Sequence, residues 1–404
     1  MSVESTRTEE RISPGTPVEV FRIFLGLGLT SFGGPVAHLG YFREAFVTRH
    51  KWLSDRAYAD LVALCQFLPG PASSQVGMAI GLMRAGYPGM LAAWLAFTLP
   101  SAILLVLFAY SADALQSVAG TGWIQGLKAA AVAVVAHAVL GMARSLASGR
   151  ERATIAVAAM IGALLIPTAL GQVAMIALGA LIGLAWLRPT VDPAVEDETL
   201  GHAVGRRTAV IALIAFAALL ILLPLLASEG GVLRLIDGFY RAGALVFGGG
   251  HVVLPLLQAE FVGDGLVDRE AFLAGYGAAQ AVPGPLFTFA AYLGAVMQAP
   301  PTGLVGAILA LLAIFLPSAL LIIGGLPFWD LLRAAPLARR ALSGVNAAVV
   351  GLLAAALYDP VFSAGITSAM AMAIAAAAFV ALTVWQLPAW AVVIGAGLAG
   401  FVVL

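Results

Sequence analysis

Charge is what this sequence is shortest of. Asp, Glu, Lys and Arg make up 10% of its 404 residues, against 61% hydrophobic. A water-soluble protein carries about a quarter charged residues. So few charges cannot cover a soluble surface, so lipid must surround most of the outside. Acidic and basic residues balance at 21 each, which leaves no basic footprint for nucleic acid. Cysteine is nearly absent. The single Cys65 excludes a disulfide within the chain and a cysteine-based metal centre. The sequence also has no metal-ligand cluster, no nucleophile–base set, no Walker loop and no dinucleotide fingerprint. Gly248-Gly249-Gly250 is followed by no Lys-Ser/Thr pair and so is no phosphate loop. An enzyme is therefore not expected, nor a cofactor, and any transport must be secondary or passive. Residues 1–17 are polar and mixed in charge, unlike a cleavable signal peptide, and read as a cytoplasmic tail.

Apolar runs dominate what remains. Thirteen segments approach the length of a span, about twenty residues, at 18–40, 57–83, 88–111, 123–147, 152–166, 169–187, 208–228, 232–257, 271–297, 303–325, 341–358, 362–384 and 388–404. The pattern predicts an all-α polytopic membrane protein. Its long polar stretch, 188–207, reads as a linker between two parts.

Those parts are related. Phe32-Gly33-Gly34-Pro35 recurs as Phe247-Gly248-Gly249-Gly250, and Phe46-Val47 as Phe261-Val262. Gln66-Phe67-Leu68-Pro69-Gly70-Pro71 recurs as Gln280-Ala281-Val282-Pro283-Gly284-Pro285. Leu99-Pro100-Ser101 returns as Leu316-Pro317-Ser318, and Gly126-Leu127-Lys128 as Gly344-Val345-Asn346. Five matches in order predict two homologous halves, 18–187 and 231–404. Residues 188–230 supply a linker loop and a connecting helix.

The loop 41–56 carries Arg43, Arg49, Lys51 and Arg56, whereas its counterpart 258–270 is mainly acidic. Opposite bias in equivalent loops predicts an inverted repeat. If all basic loops share the cytoplasmic side of an inner membrane, the segments holding the Gly and Pro motifs turn back as re-entrant hairpins or broken helices.

Glycine pairs and Pro-Gly-Pro break helices. In hydrocarbon, the freed backbone groups are tolerated only when buried in protein or facing a wet cavity. Paired breaks in two halves mark a transport site, and helix starts offer N–H groups to anions. The candidate binding residues are Gly33, Gly34, Gln66, Gly70, Ser73, Ser74, Lys128, Gly248, Gly249, Gln280, Gly284 and Thr288. Ser73, Ser74 and Thr288 bring small hydroxyls just after each break. Gln66 and Gln280 bring an amide one turn before it. Lys128 is an intramembrane cation unless it snorkels to the interface. His38 and His251 follow the Gly-rich breaks and are candidates for proton relay, with His137 a similar mid-segment histidine.

The motifs together resemble the chromate ion transporter family in its long, two-domain form. The resemblance rests on SFGGPVAHLGYFREAFV (31–47), WLSDRAYADLVALCQFLPGP (52–71), VFGGGHVVLP (246–255) and QAVPGP (280–285), and runs from about Val18 to Pro360. It implies export of chromate from the cytoplasm, with sulfate as a similar anion and coupling to the proton gradient. The halves differ at Pro35/Gly250 and Lys128/Asn346, so their contributions to binding are not expected to be equal. Another oxyanion such as sulfate stays open as the substrate, as do a membrane-embedded enzyme or scaffold, and a homodimer as the assembly.

Overall fold

A computed structural model describes residues 15–187, 204–227, 231–247, 250–329, 332 and 335–404, and every element in these segments is helical. Gly248, Gly249, the first fourteen residues and most of the linker loop lie outside the described residues. Among the described residues six helices are long and apolar enough to cross a membrane: Ala72–Ala112, Gly122–Leu146, Ala169–Trp186, Arg206–Leu226, Gly303–Phe328 and Pro336–Gly365. Leu107, Leu181, Ile214 and Leu398 stand exposed on them or on neighbouring helices, as lipid-facing side chains do.

The first half contains α1 (Pro17–Thr30), α2 (Gly34–Arg43), α3 (Asp55–Phe67), α4 (Ala72–Ala119), α5 (Gly122–Leu146), α6 (Arg150–Leu165) and α7 (Ala169–Trp186). The connecting helix is α8 (Arg206–Leu226). The second half runs α9 (Gly231–Ala244), α10 (Val253–Leu257), α11 (Arg269–Ala281), α12 (Phe289–Val296), α13 (Gly303–Gly325), α14 (Pro336–Ala356), α15 (Ala369–Thr383) and α16 (Ala389–Val403). The plan repeats in order. α4 breaks at Ala85-Gly86, where Gly86 takes φ 66°, so its two parts match α12 and α13.

Local details repeat too. α2 and α10 each widen into a π-helical turn, at Glu44–Arg49 and Gln258–Val262. α3 is capped by Ser54, whose Oγ accepts from the Ala57 N–H, and α11 by Asp268, which accepts from the N–H groups of Glu270 and Ala271. The apolar segments 57–83 and 271–297 each prove to be two short helices, because no helix runs through Pro-Gly-Pro. The segments 18–40 and 232–257 are likewise divided at their glycine motifs.

The halves face opposite ways. At one end, Arg84 closes α4's first part, ion-pairs with Glu19 at 3.1 Å and covers the Trp52 ring at 4.6 Å. The Gly15 N–H donates to the Arg84 carbonyl at 3.0 Å. The start of α1, the loop before α3 and the break in α4 therefore share one face. From there α4 rises about 35 Å from Tyr87 to Tyr110 at 1.5 Å per residue. Tyr110 lies beside Gly303 at the other face, where the Gln298 N–H donates to the Leu266 carbonyl at 3.0 Å and Arg234 pairs with Asp264.

Packing crosses between the halves. α5 lies against α15 and α16, and α14 against α6 and α7. Helices approach closely only where no side chain intervenes. A Cβ on Gly126 would stand 2.1 Å from the Ala396 carbonyl oxygen, and one on Gly344 2.0 Å from that of Gly179.

Candidate functional site

The interruptions meet at the centre. Gly33 (φ 103°), Gly34 (φ 80°), Gly70 (φ 125°) and Gly284 (φ 95°) all adopt backbone that L side chains rarely take. The Gly70 N–H donates to the Val246 carbonyl at 2.7 Å, and the Gly284 N–H donates to the Ser31 carbonyl at 2.9 Å. Ser31 and Val246 each precede the phenylalanine of their own glycine motif. Each Pro-Gly-Pro is thus clasped by the opposite half. A Cβ on Gly250 would stand 3.2 Å from Cγ of Pro35, so the two glycine motifs touch as well.

A cavity of about 510 Å³ opens beside this junction. Gly33, Gly34 and Pro35 line it at the start of α2, where Gly33 supplies no side-chain cap. The first N–H groups of that helix carry partial positive charge. His251, Gln280 and Gly284 line it from the second half. The Gln280 Nε2 is buried with no hydrogen-bond partner among the described residues. His251 Nδ1 stands 2.8 Å from the hydroxyl of the fully buried Tyr276. His137 and Arg144 of α5 complete the wall, with Thr383 and Gln386 between α15 and α16. Among the described residues no Asp or Glu lines the cavity. Donors, uncapped backbone and a guanidinium, with no carboxylate among the described residues, suit an anion. No group of three or more His, Cys, Asp or Glu among the described residues is placed to hold a metal ion.

A model of the chromate transporter family matches the chain twice, over residues 18–184 and 233–401. The chain belongs to the chromate transporter family. It is 28% identical to a chromate transport protein of Pseudomonas aeruginosa, over 98% of this chain and 94% of the relative. It is 27% identical to a chromate transport protein of Cupriavidus metallidurans, over 83% of this chain and 80% of the relative. An uncharacterised transporter of Methanocaldococcus jannaschii is 26% identical over 86% and 85%. No solved structure shows a significant match.

In this family member the junction gathers only part of the residue set expected from sequence. Gly33, Gly34, Gln280, Gly284 and His251 line the cavity. Gly70 sits in the clasp behind it. Gln66 is exposed and does not line it. The hydroxyls turn inward: Thr288 Oγ1 donates to the Pro285 carbonyl at 2.8 Å. Ser73 Oγ lies 3.3 Å from His38 Nδ1, and His38 Nε2 lies 3.1 Å from the Ser31 carbonyl. A carbonyl only accepts, so the ring proton sits on Nε2 and the Ser73 hydroxyl donates to Nδ1. His38 is thereby a buried strut between the first glycine motif and α4. Ser74 Oγ is buried without a partner among the described residues, away from the cavity wall.

Lys128 is 1% exposed and pairs with Glu270 at 3.5 Å, outside the cavity. Arg241, another basic residue near an apolar segment, pairs with Asp237 at 2.6 Å and Glu260 at 3.0 Å. Arg144 reads from sequence as a topological charge. Its spacing of seven residues from His137, two helical turns on one face, is the signal that joins them. Thr383 and Gln386 carry no such signal.

Proposed function

We propose that the chain carries chromate, a tetrahedral dianion, across the cytoplasmic membrane. The observation that supports this most is the cavity at the junction of both halves: among the described residues it offers the α2 N-terminus, an unpartnered Gln280 amide and His251, and no carboxylate. Discontinuous helices whose starts point at an anionic group are the expected form of such a site. Relatives named as chromate transport proteins, matched over most of both chains, support the same substrate. Sulfate shares its shape and charge and is the expected competitor.

The cavity is lined by Arg144, and Arg150 and Arg152 open α6 and Arg206 and Arg207 open α8 near that face. Basic loops stay cytoplasmic. The passenger is therefore loaded from inside, and α1–α2 and α3–α4 form hairpins that enter from the cytoplasm and turn back at their glycine and proline motifs. The second half mirrors them. Export of a dianion gains ~2.3 kcal/mol per charge per 100 mV of inside-negative potential. The halves exchange access by moving against one another around the clasp. His251, facing the cavity with Tyr276 behind it, is the residue through which a proton would couple to the anion.

Chromate flux into proteoliposomes holding the purified protein tests the reading. Saturable uptake, inhibited by sulfate and driven by a membrane potential of the right sign, is the expected result. Folded protein that moves no chromate would remove it.

A further inference from the structure

The corresponding ends of the two halves are not chemically equivalent. The sequences of α5 and of α14 with the π-helical turn that follows it align without a gap from Gly126/Gly344 to Ser145/Ser363. In that register Arg144 corresponds to Phe362 and His137 to Ala355. Arg144 has no acidic partner among the described residues, and it lines the cavity at the end of α5. His137 lines it about 10 Å deeper, two helical turns towards the glycine motifs. Together they place a guanidinium at the surface and an imidazole between it and the junction. At the equivalent place in the other half, Phe362 is 42% exposed, and the nearest charge in sequence is Asp359, paired with Arg269 at 3.0 Å. That face presents an apolar ring and a guanidinium already paired with a carboxylate, where the first presents a guanidinium with no acidic partner among the described residues.

We propose that Arg144, with His137 behind it, captures the oxyanion at one face only, so that apparent affinity is high from the Arg144 side and low from the opposite side. Guanidinium matches a tetrahedral oxyanion with two parallel N–H donors. A cation with no acidic partner among the described residues, at the mouth of a cleft, raises the local anion concentration and the rate of entry. The release side, without such a group, lets the anion go. This rests on the oxyanion-transport reading above and adds to it a kinetic asymmetry between the two faces.

The test measures chromate uptake in vesicles of both orientations. Arg144→Gln is expected to raise the half-saturating concentration about tenfold from the Arg144 face, the lower end of the effect of a focusing charge, and to change it much less from the opposite face. An unchanged melting temperature of the purified variant reports that it is folded. Arg144→Lys should restore part of the loss. The converse variant, Phe362→Arg, should lower half-saturation from the opposite face. Equal shifts from both faces, or none, would overturn the proposal while leaving the transport reading intact. A wild-type protein that moves no oxyanion from either side would overturn the transport reading itself, before any variant is made.

Discussion

At the scale of single residues, position relative to the cavity separates contributors from bystanders. Gln280→Ala removes a buried amide with no partner among the described residues. It should weaken chromate binding by about 1 kcal/mol, roughly fivefold in half-saturation, while expression and melting temperature hold. Equal affinity in flux assays would move the passenger elsewhere. Lys128→Met should behave oppositely. Lys128 is buried, but its partner Glu270 is exposed and stays solvated when the cation goes. Half-saturation should stay within about twofold and stability should not fall, as for buried ion pairs replaced by an apolar group of similar size. A large loss of chromate affinity would return Lys128 to the binding site. Sequence made the glycines and Gln280 legible, because helix breakers and amides in apolar runs need a reason. It did not reveal that Ser73 and Thr288 direct their protons to His38 and the Pro285 carbonyl. A hydroxyl's neighbours in sequence do not say which acceptor it finds in space.

At the scale of elements, the two Pro-Gly-Pro turns are equivalent but unequally crowded. A Cβ on Gly70 would stand 2.6 Å from Ser318 Oγ, whereas one on Gly284 would stand 3.0 Å from Ser101 Oγ. Both glycines also hold positive φ, which costs an L-residue about 1–3 kcal/mol. Gly70→Ala should therefore lower the melting temperature more than Gly284→Ala. Adding Ser318→Ala should recover part of the Gly70→Ala loss and little of the other, a coupling that a thermal-melt double-mutant cycle reads directly. Equal, uncoupled losses would contradict the crowding. The breaks themselves were legible from composition. The division of α4 at Ala85-Gly86 was legible as well, since it falls in the gap between the apolar segments 57–83 and 88–111.

At the scale of the molecule, the structure opens the cavity towards Arg144. Cys65 is the sole cysteine and is buried, so Cys65→Ala gives a silent background. Thr383→Cys in that background should react with a membrane-impermeant thiol reagent from the Arg144 face, and chromate should slow the reaction. Labelling from the opposite face alone would reverse the assigned opening. The inverted repeat was visible in the sequence as ordered motifs with opposite loop charge. The crossed packing of α5 on α15 and α16 was not, since α5 is apolar around most of its circumference and shows no preferred face.

The reciprocal bonds from Gly70 to Val246 and from Gly284 to Ser31 bear on how such a protein can be made. A ribosome producing either half alone would release a polypeptide whose amide proton and carbonyl find their complements only on an upside-down sibling. Left in hydrocarbon, each orphan would cost several kcal/mol. Splitting the gene would thus demand insertion of its products in both orientations. By threading α8 through the bilayer, one translation product delivers the antiparallel pair in fixed stoichiometry.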